Sequence, residues 1–430
     1  MPFRLSLISL LLVSPASAAS EWAFHGQATF IEQYHPGFRS AYRGPNSLDP
    51  GSRGNETVNA TAFAGARLWN GGEAWADLEM DQGFGLSDTL GIAAFPNGEG
   101  SKVGKAVPYL RLHRLFFRQT FDLGGASETV AAAANQLSGT RTQDNLVLTL
   151  GKFSATDIFD TNTYAHDPMH DFLNWAVIDA GPWDYAADAW GYTYGAAAEW
   201  TISNWSLRGG LFDLSRVPNG TELTRGFGQY QGDLEAERRF SLMGRDGKIK
   251  VLAFASRGRL GDYNDALDLA SATQRPPDTA LVRKRSWKSG FSVNGEMALS
   301  EDVGGFLRLA LDDPSKEGDE FTDMANSLLF GMSLQGTSWG HKDHRVGIAI
   351  ESGGISTSAR RYFAAGGLGI LIGDGDLRHY GRENVVEAYY AAPLWDSVQA
   401  SLDCQFIANP AYNADRGPVS VIGLRLHGEF

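Results

Sequence analysis

Cysteine is almost missing from this chain: one residue of 430, Cys404. A single thiol closes no intramolecular disulfide and excludes a structural zinc or iron–sulfur centre built on thiolates. Proline is sparse, 16 residues against 51 glycines, a balance that favours many tight turns. No run of 18 apolar residues occurs, so no segment reads as a transmembrane helix. Positive charge is in deficit, 37 Lys and Arg against 50 Asp and Glu, for a formal net charge of −13. That excludes a polyanion-binding surface over the chain as a whole, and no nucleic-acid partner is expected. What is present, 43% hydrophobic and 20% charged residues, is the composition of a folded chain and not of a disordered or collagen-like one. Length alone would suggest two or three domains, but large β-barrels run past that rule. Neither a linker nor a repeat beyond hairpin spacing divides the chain.

Residues 1–19 read as a secretory signal. Arg4 supplies the positive start, Leu5 to Val13 the short apolar run, and Ala16-Ser17-Ala18 a cleavage site. Residues 20–430 then form a single exported domain.

Helical spacing is scarce and period-two alternation is widespread. Val58, Ala60, Ala62, Ala64, Ala66 and Leu68 oppose Asn59, Thr61, Phe63, Gly65 and Arg67. Ala74, Ala76, Leu78 and Met80 oppose Glu73, Trp75, Asp77, Glu79 and Asp81. Trp190, Tyr192, Tyr194, Ala196, Ala198 and Trp200 form another apolar face, and Leu328, Phe330, Met332 and Leu334 another. A soluble sandwich would bury such faces, whereas a membrane barrel turns them to lipid and lines water with the polar ones. The barrel is favoured by strands of about ten residues, the length a tilted strand needs to cross lipid. Tryptophans at strand ends (Trp22, Trp69, Trp200, Trp287, Trp395) suit an interfacial girdle. Short turns such as Asn70-Gly71-Gly72, Ser203-Asn204, Arg245-Asp246-Gly247 and 300–303 alternate with long stretches at 34–56, 82–108, 154–188, 261–285 and 353–380. The fold expected is all-β, a transmembrane antiparallel barrel of about sixteen strands. They start near 22, 57, 72, 109, 145, 189, 205, 230, 248, 286, 304, 325, 345, 381, 396 and 418. One connection, 123–144, is long where a short turn belongs, and its alanines suggest a helical insertion over 128–140. In the last strand, Ile422, Leu424, Leu426 and Phe430 share a face. A strand ending in Phe is similar to the signal read by the outer-membrane barrel assembly machinery, although Gly428 departs from it.

Several blocks resemble one family. They include His25-Gly26-Gln27, His35-Pro36-Gly37-Phe38-Arg39-Ser40, and Glu79-Met-Asp81-Gln82-Gly83-Phe84-Gly85. Further ones are Arg114-Leu-Phe116-Phe117-Arg118-Gln119, Gly151-Lys152-Phe153-Ser154, Phe172-Leu-Asn174-Trp175 and Asp188-Ala-Trp190-Gly191-Tyr192. The chain is similar to the carbohydrate-selective porins of the OprB type. The resemblance implies a sixteen-stranded outer-membrane barrel of a Gram-negative bacterium, with inward-folded loops, passive uptake of sugars such as glucose, and no cofactor.

The residues themselves say less about transport. About sixteen strands enclose water, where eight would be filled by side chains. The loops 82–108 and 154–188 are candidates to narrow the lumen, with Trp175, Trp183, Tyr164, Phe84 and Phe172 beside Asp157, Asp160, Asp167, Asp179 and Asp184. Aromatic rings receive the C–H faces of sugars, while acids and arginines bond the hydroxyls. The expected lumen faces carry Arg67, Asp77, Glu79, Asp81, Arg308, Arg345 and Glu351, mixed signs that suit a neutral polar solute; a phosphate channel would be dominated by Lys and Arg. The candidate constriction is Arg67, Glu79 and Asp81, with Arg39 from the first long loop, Trp175 from the third, and Arg111 as an alternative partner. A general diffusion porin is the alternative, and a monomer and a homotrimer both fit.

Other motifs are weaker. Gly336-Thr-Ser338-Trp-Gly340 fits a hydrolase elbow, with His341 and His344 nearby, but that elbow needs a buried strand leading into a helix. His166 and His170 have metal spacing, yet Pro168 opposes the helix that would align them, and no metal site is expected. Asp374-Gly-Asp376 lacks the rest of a calcium loop. The bases Arg283, Lys284, Arg285 and Lys288 read as a solvated loop.

Overall fold

A computed structural model describes residues 21–100, 103–224 and 226–430; the expected signal segment lies outside the described residues. Among these, sixteen antiparallel strands close into one barrel, each paired with its neighbours in sequence and the first with the last. They are β1 (Trp22–His35), β2 (Arg53–Trp69), β3 (Gly72–Gly83), β4 (Lys105–Val130), β5 (Gly139–Phe153), β6 (Thr193–Ile202), β7 (Trp205–Asp213) and β8 (Tyr230–Leu242). The second half holds β9 (Arg245–Leu260), β10 (Lys284–Ala298), β11 (Val303–Leu311), β12 (Asn326–Gln335), β13 (Arg345–Gly354), β14 (Glu383–Trp395), β15 (Val398–Ala408) and β16 (Val419–Glu429).

Alternation decides which way each side chain points. On β12, Leu328, Phe330 and Met332 are exposed on the outer face, whereas Ser327, Leu329 and Ser333 are buried inside. The five strand-end tryptophans also lie on the exposed face. Short turns and long loops segregate to opposite rims. The β8–β9 turn is Met243-Gly244, both at positive φ as a two-residue hairpin requires, one step before the expected Arg245 to Gly247. At the seam, Gly26 and Phe430 exchange backbone hydrogen bonds of 3.2 and 2.9 Å, and a Cβ on Gly26 would strike the Phe430 ring.

The segment 128–140 is not helical. β4 continues to Val130, with Thr129 and Val130 opposite Thr140 and Gly139. β-Branched residues hold the ladder, and four alanines are too few to nucleate a helix against it. Register slips around Gly124 and Gly125, both at positive φ, bend this hairpin. Its tip returns to the inner wall, where Asn135 donates to Asp77 (2.9 Å) and the Leu137 amide to Glu73 (3.3 Å).

The loops after β3 and β5 fill much of the lumen, and charged wall residues hold their backbone. Glu383 accepts from the amides of Ala93 (3.0 Å) and Ala94 (2.6 Å), and Glu387 from that of Leu173 (2.5 Å). Arg308, fully buried, donates to the carbonyls of Val177 and Ala165 and pairs with Asp160 at 3.0 Å. The expected wet position at Arg308 is therefore a loop anchor. Lys288 is also not solvated: it lies buried between Asp184 (3.1 Å) and Asp312 (2.8 Å). Arg283 grips Glu317, and Lys284 grips Asp265. Asp374 is paired with Arg416 and Asn413.

Two outcomes follow. Phe330→Arg places a cation at mid-strand on the lipid face, and should lower refolding stability in lipid vesicles by about 2–4 kcal/mol, measured by reversible denaturant titration. The second concerns buried loop acids. Burial pushes Asp179 up to about 8, aided by the Asp160 charge and opposed by Arg308. Burial and then the Asp184 charge push Asp319 up to about 8, against Lys288. Unfolded, both ionise near 4; folded, they keep their protons until about 8, so the folded state holds more protons and stability falls as pH rises through that range. The melting temperature of detergent-refolded protein should fall as pH rises from about 5 to 8 and level off above that, and Asp179→Asn should flatten the fall.

Candidate functional site

Alternation on β3 sets Asp77, Glu79 and Asp81 on the inner wall two residues apart. On neighbouring β4 the register slips: Asp77 pairs with Arg114 but Leu78 with Leu112, leaving His113 as a bulge. Outward positions accordingly change phase, from Leu110 and Leu112 before the bulge to Leu115 after it. His113 and Arg114, adjacent in sequence, both turn inward. Arg111, His113 and Arg114 thus face the three acids.

His113 Nε2 lies 3.2 Å from Asp81 and 3.6 Å from Glu79, and the Thr61 hydroxyl donates to Glu79 at 2.6 Å. Arg114 holds Asp157 through two hydrogen bonds of 2.8 and 2.6 Å, and reaches Asp77 at 3.5 Å. Burial works to raise the Asp157 carboxyl, but Arg114 outweighs it and leaves the group below its ordinary value. Arg111 pairs with Asp188 at 3.3 Å, and Lys152 approaches the same carboxylate at 3.7 Å. Two rings from the end of the loop after β5 lie over the bases. Trp190 sits 3.4 Å from the Arg111 guanidinium, and Tyr192 stacks on His113 at 4.3 Å with Arg114 at 4.9 Å. The result is a strip of alternating charge backed by two half-buried aromatics, the donor, acceptor and apolar surface that polyhydroxylated rings match.

The strip lies between two spaces. Toward the short-turn rim is a cavity of about 1480 Å³, with Arg114, Asp157, Arg67, Arg118, Glu199 and Arg208 in its wall. On the other side is a crevice formed by Asn59, Asp81, Glu99 and Tyr109. Burial, then the charges of Glu79, Asp167 and Asp81, push the Glu99 carboxyl well above its ordinary value.

Of the six residues read as the constriction, the structure gathers Glu79, Asp81 and Arg111. Arg67 lies nearer the short-turn rim, donating to the Ser138 carbonyl at 2.8 Å, because it is close to the β2–β3 turn whereas Asp81 is at the other end of β3. Arg39 belongs to the first loop and donates to the Ala414 carbonyl at 2.8 Å. Trp175 is 2% exposed, stacked between Phe95 (5.2 Å) and Phe321 (5.8 Å) in the core of the inserted loops. Trp190 and Tyr192 were expected on the lipid face of a strand; β6 begins only at Thr193, and both rings turn inward. The signal for His113 and Arg114 was the phase break between Leu112 and Leu115. The 336–340 segment, between β12 and β13, is a single 3-10 turn, Gly336–Trp339, and not the α-helix that an elbow needs, and no helix spans His166 to His170.

Among curated proteins no match is found. The chain matches the family described as "Carbohydrate-selective porin, OprB family" over residues 46–430. Its fold is similar to that of Pseudomonas putida OprB at high pH, with a TM-score of 0.73 and 15% identity over 95% of this chain and 94% of that one. The low-pH structure of the same protein aligns with a TM-score of 0.52 at 10% identity, covering 95% and 93% of the two chains. OccAB1 of Acinetobacter baumannii aligns with a TM-score of 0.50 at 10% identity, covering 95% and 96%. At such identities these likenesses establish the barrel fold, and the family match over most of the sequence establishes the rest: the chain belongs to the OprB family of carbohydrate-selective porins.

Proposed function

We propose that sugars cross this barrel along the charged strip of β3 and β4, where Glu79, Asp81 and Arg111 act together with His113, Arg114, Asp157 and Asp188 on the hydroxyls, and Trp190 and Tyr192 on the C–H faces. Its family and barrel support a channel for carbohydrates; glucose and similar small sugars are the cargo we assign. The observation that carries this reading is the bulge at His113, which gathers bases against acids beside two rings. Opposite charges in close pairs suit a neutral solute, because each pair can open to a hydroxyl without leaving net charge unpaired.

The setting we assign is the outer membrane of a Gram-negative bacterium, reached after removal of residues 1–19. Outward-facing apolar strands support lipid contact. Phe430, beside Phe24 at 6.3 Å on the exposed face of the seam, is the residue we assign to recognition by the barrel assembly machinery.

The test is single-channel recording in a planar bilayer with glucose titrated in. Conductance should fall as sugar occupies the strip. Glu79→Gln combined with Trp190→Ala should raise the half-blocking concentration by about tenfold, the effect of roughly 1.4 kcal/mol, while Trp175→Phe should leave it unchanged. An unaltered block in the double variant rejects the strip, and no block in the wild type rejects glucose as cargo.

A further inference from the structure

His170, in the loop after β5, and His427, on β16, come from positions 257 residues apart in sequence, yet their rings lie 4.5 Å from centroid to centroid. The Glu429 carboxylate faces both, 3.8 Å from His170 Nε2 and 3.9 Å from His427 Nε2. His427 is 2% exposed, and its Nε2 makes no hydrogen bond. A buried ring nitrogen without a partner costs free energy unless something binds there.

The far side of each ring is already engaged. Asp167 sits 2.9 Å from His170 Nδ1, and the Thr29 hydroxyl 2.9 Å from His427 Nδ1. With each Nδ1–H donated to these oxygens, each Nε2 keeps its lone pair and points at the common centre. This is the outer-shell arrangement that orients metal-ligating histidines. The loop is held in place independently of any ion. Arg425 donates to the carbonyls of Pro168 and Asp171, and Arg345 pairs with Asp171 at 2.9 Å.

We propose that His170, His427 and Glu429 bind a divalent transition-metal ion of the zinc type, with a fourth position open to water. Two imidazoles and a carboxylate suit zinc or cobalt better than calcium or magnesium, which take oxygen ligands. Ligands at about 2.0–2.1 Å from one ion must come somewhat closer together than they now stand, and Glu429, with its side chain 63% exposed, is free to make that adjustment. The ion would fasten the inserted loop to the last strand at the short-turn mouth.

Tag-free mature protein, refolded in detergent and stripped with chelator, should be titrated with Co²⁺ and then with Zn²⁺. One equivalent of cobalt should bind with the visible bands of a four-coordinate ion, and zinc should displace it. Asp167→Asn should weaken binding by about 10–100-fold. Glu429→Gln and His170→Ala should abolish the bands. Both side chains are partly open to solvent, and heat-modifiable gel migration reports that the barrel has formed. His341→Ala removes one of the exposed pair His341 and His344, stacked 4.5 Å apart, and should leave the bands intact. The proposal is overturned if wild-type protein gives no cobalt bands, if Glu429→Gln and His170→Ala titrate like wild type, or if the bands vanish with His341→Ala.

Discussion

A water-filled barrel can be narrowed only by chain laid inside it, and every peptide group of that chain needs a partner. This requirement shapes the interior. The wall carboxylates of Glu383 and Glu387 cap amides of the inserted loops, and Arg308 caps their carbonyls. Asp184, itself on a loop, accepts from the amides of Glu320 and Phe321 while held by Lys288. Removing one partner from such a buried pair strands the other, so these contacts specify where the loops lie more than they add net stability. The aromatics of the loops follow the same logic. Trp175 and Trp183 belong to one buried cluster of the inserted loops, and Phe172 packs on Phe306 and Tyr389 of the wall, instead of facing the passage, because a loop that spans a lumen needs a core of its own.

The barrel was legible because its signal is local and repeated. Each strand carries its own alternation, and sixteen strands were counted at nearly the observed starts; the largest slip is β5, which begins at Gly139 and not near 145. Asp77, Glu79 and Asp81 were placed inward by the same rule. The site was half legible. Arg111 and the acids follow from alternation, but alternation assumes an unbroken phase, and β4 breaks it. His113 and Arg114 can be recovered only by treating the change from Leu112 to Leu115 as a bulge. Trp190 and Tyr192 were misplaced because a strand pattern was extended into a loop whose rings happened to keep the same spacing.

Tertiary partners set the remainder. Nothing in the run from Arg283 to Lys288 separates a solvated base from a buried one, and Lys288 is decided by acids at positions 184 and 312. His170 illustrates the same limit: the neighbour that spacing suggests, His166, lies by Asp179 at 3.7 Å, while the ring beside it comes from the last strand.

The chamber below the charged strip has a thermodynamic meaning of its own. At about 30 Å³ per molecule of liquid, its 1480 Å³ holds on the order of fifty waters. On the route we propose, a sugar within it keeps its hydration shell and begins to shed that shell at the strip, beyond which the crevice at Asn59 and Glu99 offers only about 10 Å³. On that route the cost of dehydration falls on the strip and the crevice, and discrimination among sugars acts there and not in the chamber.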